Sequence, residues 1–557
     1  MIRLEKPAER PTEEKMNKSD RYFVLFVVFA LLFSSCRTLH EPKEIYQPLN
    51  YTEQDVYENE KARISSLSET SPVNALWRAE LLNDAELISS CTQKVMQKYH
   101  EAIDKKDYFD ALKYYRSLSA VGADVAAYNG IAGGQLSELS AQGVPGLTAD
   151  AKYLPKTIAD CINATVTVWV DRGITIKNGA GYADRVIGSG FFIDRHGYIV
   201  TNHHVISDIV DPKNEKYSRL YIKLASDSDT RIPAKVVGYD SVLDLALLKA
   251  EVDAPFILAL GSSADLSIGD KVSAIGTPLG LDGTITSGIV SAVNRKLFTT
   301  GSVLQIDAAV NSGNSGGPLI DSQMRVQAVV FAGMLQYQGL NFAIPVEYLR
   351  QDLPVLYHGG KRDHPWTGSY GHTKKSADGR QNQGLEVQYV MPGGSTSRSA
   401  FRESDVITAV DGLQVDSIET MQDILRNYVP DTIIRCTYSN DSGSGDRFVY
   451  LDARPENPGY DIYSSDLISG SFVPLLGIKL IQSSTVNKHT YTITEIIKGS
   501  IADESGFSEN DPVTVSDVKF NDDKSAAYIE LYTRKSKKGF LDISMGMTAS
   551  LNSPYYF

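Results

Sequence analysis

Along this chain the spacing of apolar positions changes several times, and each change marks a different unit. An apolar run from Tyr22 to Phe33 follows Lys18 and Arg21 and ends in small residues and a cysteine. It falls short of the roughly 20 residues that a membrane-spanning helix needs, and the basic flank fits a signal peptide over 1–36. A stretch rich in Glu, Ser and Pro then reads as a polar linker over 37–73. From residue 74 apolar residues recur at helical spacing with few breakers, predicting a helical module over 74–150. Between 155 and 352 the texture turns to short β-branched runs, such as ATVTVWV, GSGFFIDRHGYIVTN and KVSAIGTPLG, separated by Gly, Asp and Asn. That spacing predicts an all-β barrel or sandwich. Within it, GFFI-DRHG-YIVT is a hairpin with Gly197 at the turn position that needs a positive φ. A polar segment, YHGGKRDHP, separates this unit from two segments of related grammar at 364–455 and 470–557.

The length of 557 residues agrees with several units, at roughly 100 to 200 residues per domain. A formal net charge of −13 opposes phosphate backbones, so nucleic acid is not expected as a partner. The four cysteines include Cys36; the others, Cys91, Cys161 and Cys436, are an odd number spread over three regions, which argues against a disulfide framework. No CxxC or Cys/His cluster is present, so no metal is expected and no cofactor is implied. Phe33-Ser34-Ser35-Cys36 resembles a bacterial lipobox, in which Cys36 is lipidated and tethers the chain to a membrane of the cell envelope. The stretch YHEAIDKKDYFDALKYYRSL looks like one tetratricopeptide helix pair; a plain helical spacer that holds the rest off the membrane is the alternative.

Three motifs carry candidate chemistry: TNHHV at 201–205, DSVLDLALLK at 240–249 and GNSGGPL at 313–319. Each alone has an innocent explanation, as a surface pair, a capped strand or a polar turn. Their order and confinement to one β-rich unit make a shared site the better reading. A serine hydroxyl does not ionise at neutral pH, so an imidazole must take its proton during attack, and an acid must hold that imidazole in the right tautomer. Gly313 can turn its N–H inward, so that the amides of Gly313 and Ser315 cradle an oxyanion.

The order His, Asp, Ser resembles the trypsin-like fold, and the wording TNxHV, DxxxDLAL and GNSGGPL, with NFAIP at 341–345, resembles the HtrA/DegP family. The resemblance implies a double β-barrel serine endopeptidase, with His204 as base, Asp244 as its partner and Ser315 as nucleophile. By the same wording Asp244 is preferred to Asp240, and His204 to His203. Asn314 stands where digestive relatives carry an aspartate paired with a new N-terminus, so activation by N-terminal trimming is not expected. Instead the resemblance implies loops, 277–288 and 331–341, that order when ligand binds elsewhere. Asp307 is the one acid in 307–319 and is assigned to the preceding strand, which gives no support to a Lys or Arg preference.

Residues 384–438 resemble a PDZ domain: a strand, PGGS, ESDVI, VDGLQV, then a helix that Asp416 caps with Glu419 at its third position, and with Ile418, Met421, Leu425 and Tyr428 on one face. HPWTGSYG supplies its peptide-binding loop, with Thr367 and Ser369 where the family prefers apolar residues; the module either captures peptide ends or serves in packing. In a second copy, PLLGIKL matches the carboxylate-binding loop, which nominates Leu475, Leu476, Gly477 and Ile478. The fold class is therefore multidomain: an N-terminal α-helical module, an all-β double-barrel protease and two PDZ-like α+β domains. The implied function is cleavage of unfolded or mislocalised envelope proteins, with C-terminal peptides bound at the PDZ domains and a homotrimer as assembly. A client-binding scaffold with little turnover and a signalling protease with one cognate substrate are the alternatives.

Overall fold

The computed structural model describes residues 53–557 except 126–130, 178, 214–217, 278–282, 297–300, 312, 334–339, 484–488 and 537–539. Cys36 and the rest of 1–36 lie outside the described residues.

The first barrel comprises β1 (Thr165–Lys177), β2 (Ala180–Phe192), β3 (Tyr198–Thr201), β4 (Arg219–Leu224), β5 (Asp227–Asp240) and β6 (Leu245–Ala250). Its order is β5-β4-β1-β2-β3-β6, and pairing of β5 with β6 closes it. The hairpin read from the sequence joins β2 to β3, with Phe191 opposite Val200 and Gly197 at φ +87°. The second barrel comprises β7 (Lys271–Gly276), β8 (Thr284–Arg295), β9 (Val303–Ile306), β10 (Pro318–Ile320), β11 (Val326–Gly333) and β12 (Asn341–Pro345), closed by β10 on β7. One core spans both barrels: Phe191, Val200 and Leu247 of the first pack with Ile275, Ile320 and Ile344 of the second and with Leu353 of the helix Val346–His358. This burial fixes the cleft between the barrels, where all three candidate motifs lie.

The linker, β13 (Gly360–Lys361), adds to β5, and a buried ionic cluster pins the chain just beyond it. Arg362 pairs with Asp352 at 3.1 Å, and His364 Nε2 lies 2.7 Å from Asp240. The first PDZ sheet comprises β14 (Pro365–Trp366), β15 (Ser369–Lys375), β16 (Asn382–Val390), β17 (Val406–Val410), β18 (Leu413–Gln414), β19 (Thr432–Asn440) and β20 (Gly443–Ala453). Its main path runs β14-β20-β19-β17-β16-β15, and the helix Ile418–Leu425 buries Ile418, Met421 and Leu425, with Tyr428 beyond its end, in the module's core. The cap lies one residue later than expected: Ser417 Oγ accepts from Thr420 N at 3.2 Å, while Asp416 accepts from the hydroxyls of Ser417 and Thr420.

The second module opens with the helices Pro458–Ser465 and Ile468–Leu476, ahead of the expected start at 470, and continues as a five-stranded meander, β21 (Ile478–Gln482), β22 (Thr490–Ile496), β23 (Pro512–Phe520), β24 (Ala526–Ser536) and β25 (Phe540–Ser550).

Two expectations for the N-terminal region are corrected. Within the expected linker, Glu53–Leu67 is a helix that buries Ile64, and its Glu60 pairs with Arg78. A polar sequence with a single narrow apolar stripe is enough when a neighbouring helix covers that stripe. Nor is the helical module a spacer. Trp77 stacks on Tyr450 with ring centroids 5.5 Å apart and donates its Nε1–H to Phe448 O at 3.0 Å. Ile433 N donates to Ser117 Oγ at 3.1 Å, so the helices share a core with the first PDZ sheet.

Candidate active site

His204, the candidate base, is placed by the helix His203–Val210, which starts just after β3. Asp244 lies in the turn between β5 and β6 with φ +55°, a left-handed conformation that Asp tolerates better than most residues. Asp240 builds that turn, its Oδ1 accepting from the N–H groups of Val242 and Leu243 at 2.7 and 3.0 Å. Asp244 Oδ1 then accepts the backbone N–H of His204 at 2.8 Å, and Oδ2 lies 2.7 Å from the ring Nδ1. Asn202 Nδ2 and His203 N donate to Asp244 O from the same helix start. With Nδ1–H donated to the carboxylate, Nε2 keeps its lone pair and can accept a proton.

The two rivals are engaged elsewhere. His203 stacks on Tyr239 at 5.1 Å, and burial pushes its imidazole below the ordinary range. Asp240 is fully buried against His364 and Arg362; burial alone would raise its carboxyl, but those partners hold it below the usual carboxylate range.

Ser315 lies on the turn that enters β10. This turn is bound to the first barrel through Ser189, a residue the motif reading passed over because G-S-G resembles an ordinary strand entry. Ser189 N–H donates to Ser315 O at 2.7 Å, and Ser189 Oγ donates to Gly313 O at 2.5 Å while accepting from Thr277 N at 2.9 Å. The contact is close enough to demand glycine next to Ser315: Gly316 has φ +85°, and a Cβ there would lie 2.2 Å from Ser189 O and 2.3 Å from Thr201 Oγ1. Thr201 is three residues from His204, so the two motifs meet at this point. Gly188 gives a second marker, since a Cβ on it would touch both the Val205 side chain and Ser315 O.

Gly313 has φ +109°, and among the described residues neither its N–H nor that of Ser315 is given to a backbone carbonyl. Ser315 Oγ donates to Phe331 O at 3.3 Å, and among the described residues it makes no hydrogen bond to His204. Of the two loops expected to order on activation, 277–288 and 331–341, residues 278–282 and 334–339 lie outside the described residues. Asp307 follows β9, and its Oδ1 accepts from Ile289 N at 2.6 Å, which ties it to β8.

The expected carboxylate loop of the second module is corrected. Leu475 and Leu476 form the last turn of the helix Ile468–Leu476, and Gly477 is its left-handed cap at φ +77°. Gly477 N–H donates to Phe472 O and Val473 O, Ile478 pairs with Ile496, and the side chains of Leu475, Leu476 and Ile478 are in the core. These residues end a helix and leave no open cradle of amides; a glycine between apolar residues serves either purpose.

Residues 188–329 match the trypsin-like peptidase domain, residues 459–551 the TP0546 family PDZ domain, and residues 55–138 a domain of unknown function (DUF8517). A probable periplasmic serine endoprotease DegP-like from Halomonas elongata is 34% identical over 256 residues, covering 44% of this chain and 52% of that protein. Serine protease PepD from Mycobacterium tuberculosis is 29% identical over 358 residues, 60% of this chain and 74% of that one. This chain thus spans about half the length of the first of these relatives. A solved structure, the HtrA-type protease AlgW with decapeptide, aligns with a TM-score of 0.45 at 23% identity, covering 53% of this chain and 96% of that one. A trypsin-like peptidase domain followed by a PDZ domain, in a chain whose relatives carry DegP-like and PepD names, makes this protein similar to the HtrA/DegP serine proteases with PDZ domains.

Proposed function

We propose that the chain is a serine endopeptidase of the bacterial cell envelope that cleaves unfolded or mislocalised proteins. The observation that carries this reading is the double grip of Asp244 on His204, set beside the Ser315 turn. His204 Nε2 takes the proton of Ser315 Oγ as it attacks the scissile carbonyl, and Asp244 stabilises the imidazolium that forms. The N–H groups of Gly313 and Ser315 receive the oxyanion, a contribution of about 10² to 10³ in turnover for one donor. His204 then returns the proton to the leaving amine, and water releases the acyl group from Ser315 by the same relay. The Ser315–Phe331 contact describes a resting arrangement, from which the hydroxyl must rotate toward Nε2 before attack.

The envelope location draws on the signal-like run and on relatives named as periplasmic endoproteases. Lipidation of Cys36 and assembly as a trimer belong to the same proposal; mass spectrometry of the membrane fraction tests the first and sedimentation the second. The activity is tested by following cleavage of a casein-like unfolded protein at neutral pH by residues 37–557 and by the Ser315→Ala variant. Cleavage by the parent alone supports the proposal. Equal inertness of both would favour a scaffold that holds clients without turnover.

A further inference from the structure

The first PDZ module already has a strand in the place where a peptide would bind. β15 pairs with β16 on one edge. On its other edge Phe557 N–H donates to Ser369 O at 3.0 Å, Ser369 N–H donates to Phe557 O at 3.1 Å, and Gly371 N–H donates to Tyr555 O at 3.1 Å. Tyr370 and Tyr556 form the antiparallel bridge between them. Residues 555–557 therefore add one strand to the sheet, the pattern of peptide recognition by strand addition.

The side chains alternate as a strand requires. Phe557, 3% exposed, enters the module's core beside Leu385, Ile407, Ile418 and Met421. Tyr556, 1% exposed, points the other way into a cluster with Tyr389, Ile462 and Val473, where the two PDZ modules meet. Tyr555 stacks on His372 with centroids 3.9 Å apart. From the helix Ile418–Leu425, Gln422 Nε2 donates to Pro554 O. Thr367, one of the residues that departs from the apolar pattern of the family's loop, gives its buried hydroxyl to Phe557 O at 2.6 Å. A polar side chain is what this oxygen needs at that place.

We propose that residues 554–557 are a built-in, displaceable ligand of the first PDZ groove, and that an outside peptide ending in bulky aromatic residues competes with them for it. The helix Ile418–Leu425 connects this exchange to the protease. Its Glu419 pairs with Lys296 of the second barrel's β8–β9 connection, and Arg426, just past its end, lies over the Tyr348 ring at 4.5 Å. A change of occupant on one side of the helix is thus felt by residues that face the barrel on the other. The proposal concerns binding and stands apart from whether Ser315 cleaves.

An attached ligand competes at an effective concentration of about millimolar, so a free peptide must bind the intact chain poorly. The test is fluorescence anisotropy of labelled Ser-Pro-Tyr-Tyr-Phe, with a free carboxylate, on the full chain carrying Ser315→Ala, with and without Tyr556→Ala and Phe557→Ala. At least about a tenfold gain in affinity on loss of the two aromatics is expected. No gain, with the variant still folded by circular dichroism, would show a fixed structural strand and overturn the proposal. If the variant does not fold, hydrogen exchange on the Ser315→Ala chain with intact tail decides. Millimolar peptide should speed exchange at Tyr555 to Phe557 and leave Ser369 and Gly371 protected, whereas unchanged exchange at the tail sinks the idea.

Discussion

Asp244 holds His204 at two points at once, Oδ1 on the backbone N–H at 2.8 Å and Oδ2 on ring Nδ1 at 2.7 Å. The first contact anchors the start of the helix and the second orients the imidazole, so one side chain sets both where His204 sits and which of its nitrogens is free.

Replacing Asp244 by Asn keeps the size but presents an NH₂ where a donor now points. The ring then turns to the wrong tautomer, and kcat should fall by about 10⁴ with KM little changed. Steady-state kinetics on a quenched peptide substrate measures this. A kcat within tenfold of the parent would remove Asp244 from the mechanism.

Ser189→Ala tests the hub that the motifs did not reveal. It leaves the buried Gly313 O and Thr277 N–H without their partner, at about 1 to 3 kcal/mol in stability. Because Gly313 belongs to the proposed oxyanion cradle, kcat should fall as well. Denaturant melts and turnover together check it, and a stable variant with full activity would show that the hub holds nothing.

His364 supplies a pH dependence of stability. Burial holds its imidazole below the ordinary range, although Asp240 pulls the other way, so in the folded chain it is neutral and donates Nε2–H to Asp240. Below about pH 6.5 the unfolded chain takes up a proton here that the folded chain does not, so stability falls as the pH falls, and levels off below the folded value. The depressed carboxyl of Asp240 acts in a more acid window: its contribution is present above its unfolded value and is lost as pH falls through the folded one. Urea melts between pH 7 and 5 should show the slope, and His364→Gln should flatten it. A variant with the parental slope would assign it to another group.

Trp77→Ala cuts the helical module from the first PDZ sheet. Loss of a buried Trp costs about 3 to 5 kcal/mol, and here it also leaves Phe448 O without the indole donor. Calorimetry should then resolve a separate early transition for the helices. A single, unshifted transition would mean that Trp77 does not carry the docking.

The three candidate residues stand out in the sequence because the proposed chemistry demands particular residue types next to strand residues that periodicity reveals. His204 and Asp244 sit at the ends of buried apolar runs, and Ser315 lies in a run of glycines, GNSGG, dense enough to mark a special turn. Ser189 does not, since its bonds reach residues about a hundred positions away and its neighbours look like a common turn. PLLGIKL misled for a local reason: a helix cap and a carboxylate loop both ask for one glycine among apolar residues. The Glu53–Leu67 helix was hidden by its charge, because among its described side chains Ile64 alone is fully covered. Nothing local in Pro554 to Phe557 marks it as a strand of a sheet that begins near residue 365; only the folded chain brings the two together.

The strand along β15 also orders events in time. A chain emerging N-terminus first releases β20, at 443–453, about a hundred residues before Phe557. Until Phe557 is in place, the first PDZ sheet stays one strand short. In that interval its groove is open to any extended segment nearby, and the second module must form without pulling Pro554 to Phe557 out of reach. The newborn protein thus passes through a receptive stage that the mature one has closed.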